Sequence, residues 1–524
     1  MRLYPSLFAY LNESPVPIGT LLHPRDRPII ALDPKEELSA SSFLIPIADR
    51  VYEIAFPYLK PTDISQHPQQ LEYVFPVKIS GHIYHLHITD EVLDIETIKD
   101  KQEITEWEHI LETRLDNTTS FLIRILVGNF ANIFDNHQSR QPTILVSQLQ
   151  QKLNKFNVDE ANIPIVISLE RRYQLRRKLE AIASHLRHQL RRQAELIPLG
   201  RIQEMDSYCL RDYIRRPGST PAEKAGAKQQ LMGIQRYQDF NTAENKFLVY
   251  FSQILYFNCY QYQRSGASQY LEEIRKFSLT IDLFKQQPVV QDIQDRRYQF
   301  TKPNYVLQQN PIYRSFYQAY LEYIQKKYEK ERLWSFRNYL LADSIYVLLT
   351  AALLRFQNIG FAANLKITGT SVPEQGRYID KRENLAVKVF LKNQVYVFSL
   401  KKTSEEFSSD LLLTVDIHQL DSAQLEFQQL VFPIWVFWYR PSNNALTQIN
   451  QYLNNLMNVH SLKKAWIFYL QVPPNQFSPN GIIQSYTNSK LTVVQLPDII
   501  TTHGFSQIFV LITHLIQRAL EFPV

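Results

Sequence analysis

The chain has 524 residues, of which 45% are hydrophobic and 21% are charged, and its formal net charge is +6. This composition is typical of a folded protein with two to four domains, and the mild positive charge permits a polyanionic partner without requiring one. The two cysteines, Cys209 and Cys259, argue against a disulfide-dependent fold. The N-terminus has no signal-peptide core, and the longest apolar run, Ile345 to Leu354, is too short to span a bilayer. We therefore expect a soluble, cytoplasmic protein with no membrane contact.

Residues 1–165 are predicted to form a β-rich N-terminal domain. Short apolar runs at 43–48, 73–79 and 82–88 are separated by Pro, Asp and Asn turn signals, which is typical of strands. Ser80-Gly81 between two of these runs predicts a tight hairpin.

Residues 166–332 are predicted to form a helical region that contains a basic amphipathic helix. Between 169 and 196, leucine and isoleucine recur at helical spacing while arginines occupy the outer face. Arginine suits phosphates geometrically, so this face could follow DNA, although a solvated helix face is the alternative. The candidate DNA-binding residues are Arg171, Arg172, Arg176, Arg177, Arg187, Arg191 and Arg192.

A second helix is predicted behind Asn241, which can cap it, with Glu244 three residues later closing a capping box. No GxxxxGK[ST] motif occurs anywhere in the sequence, so we expect any nucleotide hydrolysis to come from a partner.

Residues 333–524 are predicted to form an α/β domain. A mostly apolar helix carries one internal acid, Asp343, and leads into strands at 385–391 and 394–400. From 407 to 474, two apolar β-rich runs, a helix and a third apolar run follow. Because these runs lack polar alternation, we expect a sheet that is covered on both faces.

In this order, the elements resemble the family known as domain of unknown function 2357, the relatives of McrC in restriction systems. The middle signature of that family is similar to Tyr237 through Asn245, with Thr242, Glu244 and Asn245 in place and Asp239 offset. The likeness covers about residues 170–524. It implies that a β-rich and helical region precedes a PD-(D/E)xK, restriction-endonuclease-like domain, and that the N-terminal part docks on a ring of AAA+ GTPase subunits.

The resemblance also implies a site. Asp410 stands where such a nuclease places its first metal ligand, and Asp343 stands where its helix carries an acid. The strand that would supply a second carboxylate and a lysine is similar to Trp435–Arg440, with Val436 and Trp438 at those two positions. Two carboxylates are needed to hold Mg²⁺, and a lysine to activate water or to stabilise charge. The implied site is a remnant, and no cofactor is expected.

An active Mg²⁺-dependent DNA endonuclease with relocated ligands is the alternative, and Asp410 would then bind the metal. In a second register, Asp380 precedes the 385–391 strand and Lys401 supplies the lysine, but Ser399 stands in place of the carboxylate. Glu383 or Glu405 could restore the missing acid. Asp416, which shares a strand face with Asp410, and Asp421 are interpreted as surface or turn acids.

The sequence thus predicts an α+β chain with three domains, at 1–165, 166–332 and 333–524. The leading hypothesis is a non-catalytic pseudo-nuclease subunit of a prokaryotic antiviral defence, restriction or DNA-processing complex. By resemblance its partner is an AAA+ NTPase, and DNA is a possible second partner.

Overall fold

A computed structural model describes most of the chain. The described residues are 1–39, 43–55, 72–89, 143–145, 163–183, 185–264, 270–293, 303–356, 359–363, 366–372, 376–379, 384–391, 394–404, 408–419, 427–456, 462–471, 481–485, 490–497 and 502–520. The chain divides into two compact units, of which the first combines Met1–Asn162 with Tyr328–Val524 and the second is Ile163–Lys327. Residues from the two ends of the sequence therefore share one unit. No helix in the described ranges is long and apolar enough to cross a membrane.

The described residues of the N-terminal part of the first unit are rich in strands. Its elements are β1 (Arg2–Tyr4), α1 (Leu7–Leu11), β2 (Ile29–Ala31), β3 (Leu44–Ala48), β4 (Val51–Ile54), β5 (Glu72–Ile79), β6 (His82–Thr89) and β7 (Thr143–Leu145). An antiparallel sheet has the order β1-β2-β4-β3, and β5 pairs with β6 as the predicted hairpin. Ser80 and Gly81 at its turn have φ of 48° and 85°, the left-handed conformation that a two-residue hairpin turn favours.

The second unit is mostly helical. Residues 163–335 contain α2 (Ile165–Tyr173), α3 (Leu175–Ala183), β8 (Gln189–Pro198), α4 (Ser207–Arg215), α5 (Pro221–Ala225), β9 (Gln230–Asp239), α6 (Ala243–Arg264), α7 (Leu271–Lys285), α8 (Pro288–Gln291), α9 (Tyr305–Gln309) and α10 (Pro311–Ser335). A common core joins α2, α3, α6, α7 and α10 through side chains such as Leu179, Phe251, Phe277 and Phe316.

The predicted basic helix across 169–196 is wrong in its second half. The helix is interrupted at Gln174, whose φ of 53° ends α2, and α3 ends at Ala183. Gln189–Pro198 is instead a strand that pairs antiparallel with β9 along ten residues. Leu175 and Leu179 are buried as the helical spacing predicts, whereas Leu190 is 63% exposed. A partner strand that lies about 40 residues further along overrides the local helical pattern.

The start of α6 differs by one residue from the prediction. Thr242, not Asn241, is the capping residue, because its Oγ1 accepts a hydrogen bond from the Asn245 backbone N–H at 3.4 Å. The Glu244 carboxylate does not close the predicted box, since it accepts a bond from Asn304 and pairs with Arg187.

The C-terminal part of the first unit is built on one large sheet. Its elements are α11 (Arg337–Leu353), β10 (Ile359–Ala363), β11 (Lys366–Val372), β12 (Gly376–Ile379), β13 (Asn384–Leu391), β14 (Gln394–Ser404), β15 (Ser409–Gln419), β16 (Phe427–Tyr439), α12 (Asn443–Leu456), β17 (Ala465–Gln471), β18 (Ile482–Ser485), β19 (Leu491–Gln495) and α13 (Thr502–Ala519). Eight of these strands form the large sheet, in the order β10-β13-β14-β15-β16-β17-β19-β18, and β11 and β12 belong to a separate sheet with β7. The pairs β16-β17 and β17-β19 are parallel, and the others are antiparallel.

Both faces of this sheet are covered. One face packs on α11 and α13, and the other packs on α12, α1 and the N-terminal strands. Successive residues of β16 are therefore buried on opposite sides: Val436 and Trp438 belong to the first core, and Trp435 and Phe437 to the second. Burial on both sides explains why this strand shows no polar alternation.

Candidate functional site

The candidate site lies where the N-terminal segment meets the large sheet. Asp410 is the second residue of β15, and its Oδ2 accepts a hydrogen bond from the Val436 backbone N–H at 2.8 Å. The same carboxylate accepts two further bonds from the Arg27 guanidinium, at 2.6 Å and 3.1 Å. Arg27 and Asp410 are 383 residues apart in sequence. Asp410, predicted from the sequence as a metal ligand, is thus neutralised by a residue from the N-terminal part of the chain.

Arg27 is fully engaged. It follows the 3-10 turn Pro24–Asp26 in a left-handed conformation with φ of 57°, and its side chain is only 4% exposed. Besides its bonds to Asp410, Nη1 donates to the Val436 carbonyl at 2.9 Å. Nε and Nη2 donate to Glu53 Oε2 at 3.0 Å and 2.8 Å, and the guanidinium carbon lies 5.4 Å from the centre of the Phe437 ring. A guanidinium has five N–H donors, and all five are used here.

Glu53 completes the cluster from β4. Its side chain is 2% exposed, and its Oε1 accepts a bond from the Asn338 side-chain amide at 2.8 Å. Asn338 lies in the first turn of α11, and its Oδ1 accepts the Trp438 backbone N–H at 3.2 Å. Each carboxylate oxygen of Asp410 and Glu53 therefore has a donor, which buried polar atoms require. We call Arg27, Glu53, Asn338 and Asp410 the arginine cluster.

The arginine cluster holds one positive and two negative groups. Burial by itself lowers the pKa of Arg27, but the adjacent charges of Asp410 and Glu53 outweigh it and raise that pKa above its ordinary value. Arg27 is therefore a permanent cation. Tyr339 lies nearby, and burial, reinforced by the charge of Glu53, raises its pKa as well.

A second contact fixes the N-terminal segment beside Arg27. Asp26 accepts two bonds from Ser442, one from its backbone N–H at 2.7 Å and one from its hydroxyl at 2.6 Å. The Ser442 hydroxyl in turn accepts the Ala445 N–H at the start of α12. Burial raises the pKa of Asp26, and the bonds from Ser442 partly oppose that shift. The segment around Asp26 and Arg27 thus lies against the end of β16.

The structure changes which residues of β16 belong to this site. Because side chains alternate along a strand, Asp410 lies on the face of Leu412, which packs in the same core as Trp435 and Phe437. Val436 and Trp438, assigned from the sequence to the acid and lysine positions, point into the opposite core. The positions that face Asp410 are therefore Trp435 and Phe437. Neither this pair nor Val436 and Trp438 supplies a carboxylate or a lysine.

Asp343 lies elsewhere, in the middle of α11. It is fully buried, pairs with Lys402 of β14 and accepts the Ile379 backbone N–H at 2.8 Å. Lys402 also donates to the Ile379 carbonyl at 2.7 Å. Burial raises the pKa of Asp343, and Lys402 opposes that shift. These contacts tie α11, β12 and β14 together. Lys401, the lysine of the second register, is exposed.

The other acids considered from sequence do not complete the site. Asp416 accepts a bond from the Gln429 side chain at 2.9 Å on the partly exposed part of β15. The remaining candidates, Asp380, Glu383, Glu405 and Asp421, lie outside the described residues. Within the ranges that the structure describes, no group of three or more His, Cys, Asp or Glu side chains could hold a metal ion.

The arginine cluster does not fit Mg²⁺ in its present form. The oxygens of Asp410, Glu53 and the Val436 carbonyl are the hard ligands that Mg²⁺ prefers. However, the Arg27 guanidinium donates to each of these groups. A divalent cation would have to share their oxygens with a buried positive charge. We therefore assign no metal-dependent step to this site.

Five of the seven candidate DNA-binding arginines form ion pairs. The pairs are Arg171–Glu273, Arg172–Glu322, Arg187–Glu244, Arg191–Asp239 and Arg192–Glu204. The other two, Arg176 and Arg177, lie on α3, the former half-buried and the latter exposed. Since the seven residues are divided among α2, α3, a connecting segment and β8, they do not form one helix face. Contact with DNA stays a prediction.

Asn245, one of the residues that resemble the family's middle signature, lies in a buried polar node in the second unit. The Asn245 side-chain amide donates to the Arg187 and Phe240 carbonyls at 2.7 Å and 2.8 Å, and its Oδ1 accepts the Tyr313 hydroxyl at 2.5 Å. Asn245 is 0% exposed, and burial raises the pKa of Tyr313 to about 12. We call Asn245, Tyr313 and their two carbonyl partners the asparagine node. It connects the start of α6 with α10 and with the chain before β8.

The chain is a mixed helix-and-sheet protein with a partly parallel eight-stranded sheet. The family model described as "Domain of unknown function (DUF2357)" matches residues 143–320, which confirms the resemblance for that part of the chain. The match ends before the C-terminal domain predicted from the sequence.

No curated protein matches this sequence. Among solved structures, the chain is similar to one described as "Refined half-complex from tetradecameric assembly of Thermococcus gammatolerans McrB AAA+ hexamers with bound McrC". The identity is 12%, 85% of each chain is covered, and the TM-score is 0.20. A TM-score this low establishes no shared fold.

Proposed function

We propose that this protein is a non-catalytic subunit with a restriction-endonuclease-like domain, which acts with a separate AAA+ NTPase in a prokaryotic defence, restriction or DNA-processing complex. The observation that carries this proposal is the ion pair between Arg27 and Asp410. By resemblance Asp410 is the first metal ligand of a PD-(D/E)xK site, yet here its carboxylate is held by an internal cation.

The chemistry of the site supports a lack of nuclease activity. Hydrolysis of a phosphodiester in such a site needs a bound Mg²⁺ and a cation that faces the reacting phosphate. Arg27 has no N–H left for a phosphate, because all five donate to Asp410, Glu53 and Val436. The β16 positions that face Asp410 are Trp435 and Phe437, which can neither bind a metal nor donate a proton.

The AAA+ partner is proposed from the family resemblance and from the sequence. The DUF2357 match supports a relative of McrC, and this chain has no GxxxxGK[ST] motif with which to hydrolyse a nucleotide itself. The N-terminal part is the proposed docking region, again by resemblance.

One observation favours the alternative of an active endonuclease. Two carboxylates, Asp410 and Glu53, do converge with a backbone carbonyl, as a divalent-cation site requires. Activity would demand that Arg27 leave this position.

Plasmid cleavage separates the two functions. We expect the purified full-length protein to leave supercoiled plasmid intact in Mg²⁺ or Mn²⁺, with no difference between the wild type and Asp410→Asn. Asp416→Asn on the same strand is the matched control. Cleavage by the wild type and by the control, lost in Asp410→Asn, would show that the protein is an enzyme.

The partner is tested with a purified AAA+ NTPase from the same genome. We expect the two proteins to copurify, and we expect this chain to increase the rate of NTP hydrolysis. Asp410→Asn should leave that stimulation unchanged. Absence of both binding and stimulation would contradict the proposed partnership, whatever the outcome of the plasmid assay.

DNA binding can be assigned to one arginine pair or the other. Because Arg176 and Arg177 lie on α3 and Arg191 and Arg192 on β8, each pair is replaced by alanine separately. Loss of a phosphate contact should weaken binding and reduce the salt dependence by about one counterion per arginine. Unchanged affinity and salt dependence in both double variants would remove these residues from any DNA interface.

A further inference from the structure

We propose that Arg27 is a built-in replacement for a divalent cation: Asp410, Glu53 and the Val436 carbonyl form a cation site that the guanidinium occupies, and this site binds Mn²⁺ once Arg27 is shortened. That the native protein holds no metal at this site rests on the proposed function. The cation site itself is inferred from the contacts of Arg27.

The oxygens around Arg27 are of the kind that bind divalent cations. Four oxygens from three distant segments surround the guanidinium: both of Asp410, Oε2 of Glu53 and the Val436 carbonyl. All lie between 2.6 Å and 3.1 Å from an Arg27 nitrogen. Carboxylate and carbonyl oxygens are the hard ligands that hold Mg²⁺ and similar ions. No guanidinium nitrogen contacts more than two of these oxygens, and Nη2 is the nitrogen that contacts one oxygen of each carboxylate, Glu53 Oε2 and Asp410 Oδ1.

The net charge of the cluster without Arg27 also suits a divalent cation. Two carboxylates and one guanidinium leave a net charge of −1 in a buried cluster. The Asn338 amide and the Val436 N–H compensate further, through hydrogen bonds to Glu53 and Asp410. Without Arg27 the two carboxylates carry −2. A divalent cation matches that charge, whereas water alone leaves two buried anions side by side.

The two carboxylates meet at Nη2. This atom lies 2.8 Å from Glu53 Oε2 and 3.1 Å from Asp410 Oδ1. Metal–oxygen bonds to such ions are about 2.0–2.6 Å, so an ion at this position would draw these two oxygens inwards by about 0.5–1 Å. The volume vacated by the guanidinium would admit the waters that Mg²⁺ and Mn²⁺ retain. Asp410 is 19% exposed and offers an entry path.

The experiment measures Mn²⁺ binding to the full-length protein by calorimetry and by the loss of free Mn²⁺ signal in electron paramagnetic resonance. We expect no binding to the wild type and binding of one ion per chain to Arg27→Ala. We also expect the thermal midpoint of Arg27→Ala to be higher in Mn²⁺ than in EDTA, because a ligand that binds only the folded state stabilises it.

Three variants isolate the cause. Arg27→Ala with Asp410→Asn should bind Mn²⁺ about tenfold or more weakly, since a charged ligand is lost. Arg27→Lys keeps a cation in place and should bind no metal. The neutral triple variant Arg27→Met, Glu53→Gln, Asp410→Asn should fold and bind no metal, which separates folding from binding.

Each outcome decides the inference. Binding to Arg27→Ala, or folding of this variant only when Mn²⁺ is present, supports it. A folded Arg27→Ala that binds no Mn²⁺ overturns it, and so does an Arg27→Ala that Mn²⁺ fails to refold while the neutral triple variant folds. Mn²⁺ binding to the wild type that is lost in Asp410→Asn also overturns it. Plasmid cleavage by the wild type would instead contradict the proposed function.

Discussion

The arginine cluster of the first unit and the asparagine node of the second perform the same structural task with different chemistry. Each joins segments that are far apart in sequence, across 383 residues for Arg27 and Asp410 and across 68 for Asn245 and Tyr313. The cluster uses charged groups, and the node uses a neutral amide and a hydroxyl. Arg27, Glu53 and Asn245 are almost completely shielded from water, whereas Asp410 is 19% exposed.

The difference predicts how each region fails. A buried charge whose partner is removed stays uncompensated, at a cost of about 3–5 kcal/mol, whereas an unsatisfied neutral group costs about 1–3 kcal/mol. Variants of the two regions should therefore differ in how strongly they destabilise the protein.

The largest effect is expected for Arg27→Ala. In EDTA, its loss should lower the free energy of unfolding of the first unit by about 3–5 kcal/mol. Tryptophan fluorescence in urea reports on this unit, because the four tryptophans among the described residues belong to it. They are Trp334, Trp435, Trp438 and Trp466.

Arg2→Ala is the matched control for Arg27→Ala. Arg2 is exposed and lies 3.9 Å from Asp33, so its removal should cost about 0–1 kcal/mol. If Arg27→Ala destabilised the unit no more than Arg2→Ala, the cluster would not be governed by its buried charge.

The sequence was sufficient for elements whose cause is local. Apolar runs without alternation predicted a sheet covered on both faces, and Ser80-Gly81 predicted the β5–β6 hairpin. The same reasoning placed Asp410 at the beginning of a strand and Asp343 within a helix. Each of these follows from periodicity or turn chemistry within a few residues.

The partners of these acids could not be predicted. Arg27 stands in a short polar turn and Glu53 in a four-residue strand, and neither neighbourhood marks a buried ion. Lys402 gives a weak signal: in an alternating strand it occupies the side opposite to exposed Lys401. The strand at Gln189–Pro198 was missed for the same reason, because its stability comes from pairing with distant β9.

A smaller effect is expected for Asn245→Ala. This change leaves the Arg187 and Phe240 carbonyls and the Tyr313 hydroxyl without the partner they share, at a cost of about 1–3 kcal/mol. Far-UV circular dichroism should show earlier unfolding of the helical unit. The tryptophan transition should stay where it is.

Gln235→Ala provides the control, since Gln235 is exposed on β9 and its loss should change stability by no more than about 0.5 kcal/mol. A displaced tryptophan transition in Asn245→Ala would show that the two regions do not fail independently.

The smallest effect concerns the thiol of Cys259, on α6, whose first turn contains Asn245. Cys259 is fully buried, and burial raises its pKa to about 12, so at pH 8 only about one thiol in 10⁴ is ionised even before access is considered. In a Cys209→Ser background, a thiol reagent should react with Cys259 only when α6 opens. Asn245→Ala should speed this reaction about 5–30-fold, the factor that corresponds to 1–2 kcal/mol, and Arg27→Ala should not. Equal acceleration by both variants would mean that opening of α6 is controlled from the arginine cluster as well, and the distinction between the two regions would fail.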